Sequence, residues 1–202
     1  MNEKKVLLFS DFNCPFCYAM DQRLASLGVE DQVDWRGVQH APHLLTPMAD
    51  GDPGLARELQ VEVRGIHRWA PDLPIAVPRG KPNTARPIAA AAAAFRQAPT
   101  KAHRFKSSLY EAFWRDGRDI SSPEVIDDLA RAAGLTDPLD LAAVSNDVAR
   151  WQGEWLGSGL GSVPSMVRSD GQALVGLASL EDLRSFFSGI VRVGESGKVS
   201  AD

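Results

Sequence analysis

The feature that most constrains the fold of this chain is a pair of cysteines three residues apart, placed where a strand pattern gives way to a helix pattern. Cys14 and Cys17 are the only cysteines among 202 residues, and they follow the apolar run Val6 to Ser10. Such a run is typical of a strand buried on both faces. Apolar positions then recur at helical spacing up to Leu27, and Gly28 is suited to end the helix. The sequence therefore predicts a strand, a tight loop and a helix whose first turn carries both thiols.

Two thiols at this spacing predict disulfide chemistry. Side chains three residues apart lie on one face of a helix, so the two sulfurs can form a bridge without moving the backbone. Cys14 lies at the helix N-terminus, where free backbone N–H groups and the helix dipole favour the thiolate, which is the attacking species. Cys17, one turn deeper beside Phe16 and Tyr18, is expected to be buried and to resolve the mixed disulfide. Because two cysteines cannot form a disulfide scaffold for a chain of this length, we expect their disulfide to be transient.

The same spacing also forms half of a zinc site, which leaves a second interpretation open. Zinc would need two further ligands, and the nearby candidates are His40 and His43. The protein would then be a non-catalytic zinc-binding or redox-sensing module. The plain interpretation of both histidines is that they are surface residues of a loop beside a proline. The strand, loop and helix context favours redox chemistry, so the site that we predict contains no metal.

The rest of the sequence divides into a helical middle and a short return to strands. Gln32 to Val38 alternates in polarity, which predicts a second strand and closes a β-α-β unit. Five central segments have helical patterns: Leu55 to Trp69, Thr84 to Gln97, Ala102 to Trp114, Val125 to Ala133 and Pro138 to Trp155. Pro71 to Pro82 contains four prolines and is expected to be an extended surface loop. Ser165 to Arg168 and Gln172 to Val175 flank a Gly-containing turn and predict a β-hairpin, after which Ser179 can cap a last helix through Phe187.

Five segments resemble one family of redox proteins. Ser10-Asp11-Phe12-Asn13-Cys14-Pro15-Phe16-Cys17-Tyr18 is similar to the opening of DsbA-like oxidoreductases. The other segments resemble the branch that includes FrnE-type proteins and the 2-hydroxychromene-2-carboxylate isomerases. They are Pro82-Asn83-Thr84, Phe113-Trp114, Gly117-Arg118-Asp119-Ile120 and Gly161-Ser162-Val163-Pro164. The resemblance covers most of the chain and implies an α/β protein, a thioredoxin-like fold with an inserted all-helical domain.

This resemblance sets the expected domain organisation. Residues 1–52 and 158–188 are expected to form the N-terminal β-α-β and C-terminal β-β-α parts of the thioredoxin-like unit, with a helical insertion at 53–157 and a mobile tail at 189–202. In such a fold Pro164, before the hairpin, lies opposite the dithiol. A cis Val163–Pro164 bond would expose backbone for pairing with an extended substrate, whereas the alternative is an ordinary proline at the start of a strand.

Several residues near the dithiol are candidates for supporting roles. Asp11 could move a proton to or from Cys17, because thiol exchange needs a thiolate at each step, or it could brace the loop. Asn83 could contact a bound thiol ligand by resemblance to the glutathione-using relatives, or it could cap the following helix. The residues expected to bind substrate are Pro15, Phe16, Asn83, Val163 and Pro164.

The resemblance also names an enzymatic alternative, a glutathione-dependent isomerase or transferase. In those relatives a serine stands at the position of Cys14, and its hydroxyl serves bound glutathione. Here both positions are cysteine, which favours dithiol chemistry. We therefore expect a disulfide or dithiol substrate and no bound cofactor, with glutathione as a candidate co-substrate and glutathione or a thioredoxin-type protein as the candidate electron partner.

Composition excludes two further classes of partner. The formal net charge of −4 and the dispersed Lys and Arg residues give no surface for a phosphate backbone, so we expect no nucleic acid. The first apolar run, Val6 to Phe9, is only four residues long and is too short for a signal-peptide core or a membrane span. We expect a cytoplasmic protein without membrane contact. A homodimer is common among related proteins, and the residue pattern neither requires nor opposes one.

Overall fold

The computed structural model describes residues 5–51 and 53–191, and a four-stranded mixed sheet lies at their centre. The strands of the described residues are β1 (Val6–Ser10), β2 (Val33–Gly37), β3 (Ser165–Val167) and β4 (Ala173–Val175). Their order in the sheet is β2-β1-β3-β4, with β2 parallel to β1 and the other two pairings antiparallel. Strands from the N-terminal part of the chain and from residues 165–175 therefore pair in one sheet, which confirms the α/β thioredoxin-like fold.

The β-α-β unit follows the predicted pattern closely. Helix α1 (Pro15–Leu27) begins at a proline, whose fixed φ suits the first helical position, and ends at Gly28, which has a φ of 65°. Because β1 and β2 are parallel, their carboxyl ends lie at the same edge of the sheet, with Ser10 opposite Gly37. The residues that follow each strand therefore meet next to the first turn of α1.

Helices fill the sequence between the two parts of the sheet. The remaining α-helices of the described residues are α2 (Pro53–Trp69), α3 (Ala85–Gln97), α4 (Pro99–Trp114), α5 (Pro123–Ala132), α6 (Ser145–Gly157) and α7 (Leu180–Val191). A run of alanines, most of them buried, lets α3 pack closely on its neighbours. Within residues 5–51 and 53–191, none of these helices combines the length and the apolar character needed to cross a membrane.

One apolar core joins the sheet to the helical block. The ring of Phe12, between β1 and α1, lies 5.5 Å from Trp35 of β2 and 4.7 Å from Tyr110 of α4, measured between centroids. The Trp114 indole N–H, also from α4, donates to the Phe12 carbonyl at 2.9 Å. Helix α4 therefore packs directly behind the loop that carries the cysteines. The boundaries at residues 52 and 157 stay a prediction.

The structure differs from the predictions made from the sequence in three places. The helix predicted over Pro138 to Trp155 begins only at Ser145, after a short 3₁₀ turn over Ala142–Val144, because the Asp140 carboxylate accepts the Ala143 N–H at 3.0 Å and favours a local turn. The segment Pro71 to Pro82 is not helical, but it is not wholly a surface loop, since residues 80–82 are buried. Helix α7 extends through residues 189–191 of the predicted tail, and residues 192–202 lie outside the described part.

Candidate redox site

The two cysteines lie at the start of α1, as predicted. Cys14 is the residue before the first helical turn, with an extended backbone (φ −105°, ψ 119°), and its carbonyl accepts the Cys17 N–H at 3.1 Å and the Tyr18 N–H at 3.2 Å. Both thiols are free and buried, with Cys14 6% and Cys17 1% exposed. The Asp11 N–H donates to the Cys17 sulfur at 3.4 Å. The small difference in exposure already separates an outer sulfur from an inner one.

The surroundings of the two sulfurs shift their pKa values in opposite directions. A hydrogen bond from the Cys17 thiol, helped by the Cys17 N–H and the charge of His40, lowers the pKa of Cys14 in spite of burial. Burial raises the pKa of Cys17 well above its ordinary value, and the hydrogen bond to Cys14 raises it further. Cys14 is therefore the thiol of the pair that ionises more readily, and the helix N-terminus also favours negative charge there.

Val163 and Pro164 lie against the outer sulfur. The peptide bond between them is cis, and the Cys14 thiol donates to the Val163 carbonyl at 3.6 Å. The Pro164 carbonyl accepts the Gly176 N–H at 2.8 Å, which ties this turn to the end of β4. The structure thus brings together residues 149 positions apart in sequence, and it places the predicted proline opposite the dithiol.

Asp11 and His40 form a contact beside the dithiol that sequence reasoning missed. Asp11 is completely buried, and its Oδ2 accepts the backbone N–H of His40 at 2.9 Å and lies 2.7 Å from the His40 Nδ1. The Asp11 Oδ1 has no hydrogen-bond partner among the described residues. Burial opposes the charged imidazole, but the hydrogen bond and charge of Asp11, with that of Cys14, outweigh it and raise the pKa of His40. The signal that could have found this pair is that each residue follows one of two parallel strands.

A second contact missed by the sequence lies on the inner side of Cys17. The Ser10 and Tyr110 hydroxyl oxygens are 2.6 Å apart, and both residues are buried. A hydrogen bond from Ser10 partly offsets the burial that raises the pKa of Cys17. The inner sulfur therefore lies among hydroxyl and amide groups rather than in a purely apolar pocket. Tyr110 belongs to α4 and could not have been assigned to the site from local sequence.

The other predicted site residues occupy distinct places around the dithiol. Asn83 is not the N-cap of α3, which is Thr84, but lies just before it, where its Oδ1 accepts the Ala85 N–H at 2.9 Å and its Nδ2 donates to the Leu44 carbonyl at 2.7 Å. The same Oδ1 accepts from the Gln39 side chain at 3.2 Å, so Asn83 fixes the loop after β2. Pro15 is buried at the first helical position, whereas Phe16 is half-buried and faces α2.

The described part of the chain does not assemble the ligands that a zinc site would need. His40 is bound to Asp11, and His43 is exposed. Within residues 5–51 and 53–191, no three side chains among His, Cys, Asp and Glu lie together in a way that could hold a metal ion. The zinc interpretation therefore finds no geometric support in this part of the chain.

The mixed sheet, the two thiols at the start of α1 and the cis proline opposite them define a thioredoxin-like protein of the Cys-x-x-Cys class. Residues 5–188 match the DSBA-like thioredoxin domain, and the chain belongs to this family. It is a family of thiol-disulfide oxidoreductases. No curated protein matches the chain in sequence.

Solved structures support the same fold over nearly the whole chain. A Nitrosomonas europaea protein assigned as a protein disulfide isomerase superposes with a TM-score of 0.75 at 14% identity, covering 95% of this chain and 99% of the other. The cytosolic disulfide reductase DsbM from Pseudomonas aeruginosa, solved with GSH, gives 0.71 at 18% identity, covering 93% and 99%. A 2-hydroxychromene-2-carboxylate isomerase gives 0.69 at 18% identity, covering 96% and 99%. At these identities the similarity establishes the fold and leaves the reaction open.

Proposed function

We propose that this protein is a thiol-disulfide oxidoreductase that works through Cys14 and Cys17. The observation that carries the proposal is the opposite shift of the two pKa values, with Cys14 lowered and Cys17 raised, at one helix N-terminus. An outer thiol with a lowered pKa suits nucleophilic attack, and a buried inner thiol with a raised pKa suits later resolution.

The reaction needs two thiol exchanges. The Cys14 thiolate attacks one sulfur of a substrate disulfide, forms a mixed disulfide and releases the other substrate sulfur as a thiolate, which takes a proton. Cys17 then loses its proton and attacks the Cys14 sulfur, which releases the second substrate thiol and leaves a Cys14–Cys17 disulfide. Two electrons have passed from the dithiol to the substrate, and the same steps in reverse would oxidise a substrate dithiol. Asp11 is the proposed acceptor of the Cys17 proton, since the residue is buried beside that sulfur and its carboxylate Oδ1 has no hydrogen-bond partner among the described residues.

Substrate is proposed to lie along the turn that faces Cys14. An extended chain could pair with the backbone of Val163, whose carbonyl is already within hydrogen-bond reach of the reactive sulfur. The half-buried Phe16 and the buried Pro15 offer apolar contact beside it. Asn83 is proposed to act indirectly, by fixing the loop after β2, because its side chain already makes hydrogen bonds within the protein.

Glutathione is the proposed co-substrate, and the cytoplasm the proposed compartment. Both proposals draw support from the similarity to DsbM, whose structure is described as that of a cytosolic disulfide reductase with GSH. Two molecules of glutathione would supply the two electrons that return a Cys14–Cys17 disulfide to the dithiol and would leave as glutathione disulfide. A thioredoxin-type protein is the other candidate donor.

A redox titration tests the proposal. The protein is equilibrated against glutathione buffers of graded potential, alkylated and weighed by mass spectrometry. We expect one two-electron transition, which disappears in Cys14→Ser and in Cys17→Ser. If no disulfide forms even in the most oxidising buffer, the proposal fails. The glutathione-dependent isomerase or transferase then becomes the leading alternative, and Cys14→Ser should spare that activity.

A further inference from the structure

The proposed proton acceptor for Cys17 has no direct path to water. Asp11 is completely buried, and one of its carboxylate oxygens lacks any hydrogen-bond partner among the described residues. A carboxyl group that takes up a proton in each catalytic cycle must also release it. Some neighbouring group must therefore connect Asp11 to solvent.

His40 is the residue placed to make that connection. Its backbone N–H and its Nδ1 both meet Asp11 Oδ2, at 2.9 Å and 2.7 Å, which leaves Oδ1 free to take a proton. The His40 side chain is 29% exposed, whereas that of Asp11 is 0% exposed. An imidazole can accept a proton on one nitrogen and release one from the other, so it can join a buried group to water.

We infer that His40 is a positioning residue for the resolving step, which holds Asp11 through Nδ1–H and releases a proton of its own to water when the carboxylate takes the Cys17 proton. The inference rests on the proposed dithiol function. In the reductive direction the Cys17 proton goes to Oδ1 of Asp11, the carboxyl group becomes neutral, and the imidazolium that faced its charge releases a proton from Nε2 to solvent while Nδ1–H stays on Oδ2. Cys17 is left as the thiolate that attacks the mixed disulfide. The reverse order returns a proton to Cys17 when the disulfide is reduced.

The charges around His40 act on its pKa in opposite directions. Asp11 and Cys14 raise the pKa of His40, while burial and the charge of Lys81 lower it. Lys81 is itself held by Glu62 at 2.8 Å and Glu58 at 3.2 Å, which offsets much of its effect. A lysine in place of His40 would keep a positive charge beside Asp11 but would stay protonated near neutral pH and could not release a proton.

The loop position of His40 does not depend on its imidazole. The preceding residue, Gln39, is held by two hydrogen bonds with the Gln152 side chain, at 2.8 Å and 3.1 Å. The His40 backbone bond to Asp11 also survives any change of side chain. Variants of His40 should therefore fold with the loop in place. His43, exposed and in the same loop, provides a matched control.

A two-phase reaction with an aromatic disulfide separates the steps. Mixed with one equivalent of 5,5′-dithiobis(2-nitrobenzoate), the reduced protein releases one coloured thiolate when Cys14 attacks and a second when Cys17 resolves. In His40→Gln and His40→Lys we expect the second phase to slow by about tenfold or more at pH 7, less than the roughly 10²–10⁴-fold of direct general acid–base catalysis, because His40 acts through Asp11. His43→Gln should match the wild type, and melting temperatures should exclude unfolding.

The pH dependence of the second phase gives the readout that a structural role would not change. In the wild type its rate should show an inflection at the raised pKa of His40, and both His40 variants should lose it, so that the rate only rises as Cys17 itself ionises. Equal second phases and equal pH profiles in wild type and His40→Gln would overturn the inference. Absence of any second release in the wild type would instead count against the dithiol function.

Discussion

The two sides of the first turn of α1 differ in what surrounds the sulfur. On the outer side Cys14 meets the helix N-terminus and a carbonyl from the turn before β3. On the inner side Cys17 meets the Asp11 N–H and the Ser10 hydroxyl, which is bound to Tyr110. The hydrogen bond from the Cys17 thiol and the helix N-terminus favour a charged sulfur on Cys14. Burial favours a neutral Cys17 in spite of its N–H and hydroxyl contacts, so this thiol must be helped to ionise. One turn of helix is therefore enough to give two chemically identical side chains different surroundings, on which their proposed nucleophilic and resolving roles rest.

The largest expected effect is the separation of these roles by serine substitution. Cys14→Ser should lose all disulfide exchange, because the hydroxyl that replaces the outer thiol is not ionised at neutral pH. Cys17→Ser should still attack but stop at the mixed disulfide, because nothing resolves it. After incubation with glutathione disulfide, intact mass should rise by one glutathione in Cys17→Ser and by none in Cys14→Ser. The assignment of Cys14 as the attacking thiol is wrong if Cys14→Ser is the variant that carries glutathione.

A second large effect concerns how the inner side of α1 is anchored. Asp21 of α1 and Lys106 of α4 form an ion pair at 2.6 Å, with side chains 3% and 4% exposed. Removing one partner leaves a buried charge uncompensated, so Asp21→Ala should lower the free energy of unfolding by about 3–5 kcal/mol. Urea denaturation measures the loss.

A surface pair in the same chain provides the control for Asp21. Asp147 pairs with Arg150 at 3.0 Å in an exposed position, and exposed pairs contribute about 0.2–1 kcal/mol. Asp147→Ala should therefore lie within that range. Equal losses in the two variants would mean that the inner face of α1 is not specially anchored.

The contacts around Cys14 and Cys17 also mark the limit of what the sequence could predict. The strand, loop, helix and late hairpin follow from local signals, such as the proline at the first position of α1 and Gly28 at its end, and the structure places them as predicted. The contacts that distinguish Cys17 from Cys14 come from residues such as Tyr110, which pairs with Ser10 across 100 positions. Only tertiary packing brings such residues together, and periodicity carries no information about it.

The Asp11–His40 contact lies between the features that local sequence predicts and those that only tertiary packing creates. Its members are 29 positions apart, yet each follows one of two parallel strands, and the carboxyl ends of parallel strands share an edge. The topology could have suggested the meeting of the two loops. It could not have shown that one carboxylate oxygen binds His40 while the other has no partner in the described part of the chain. That detail depends on the exact path of the loop after Gly37.

A smaller effect should follow from removing one hydroxyl on the inner side. Tyr110→Phe leaves Ser10 without its buried partner and should cost about 1 kcal/mol in the free energy of unfolding, the usual net value of a hydrogen bond. It should also change the second phase of the aromatic disulfide reaction while leaving the first unchanged. Tyr18→Phe is the matched control, because its hydroxyl donates to the Pro74 carbonyl at 3.3 Å, away from the sulfurs. Equal kinetics in both variants would remove Tyr110 from the inner site.

The smallest expected effect is a pH-dependent contribution of His40 to stability. The pKa of His40 in the folded protein is raised above its ordinary value of 6.5. Folding therefore favours the protonated form, so the stabilisation is fully present below about pH 6.5 and is lost as pH rises through the folded value. The difference in free energy of unfolding between wild type and His40→Gln should be largest near pH 5.5 and should shrink towards pH 8.5, with no such trend for His43→Gln. A free-energy difference that grows with pH would mean that folding favours neutral His40. The buried Asp11 beside the two sulfurs would then lack a charged, partly exposed partner.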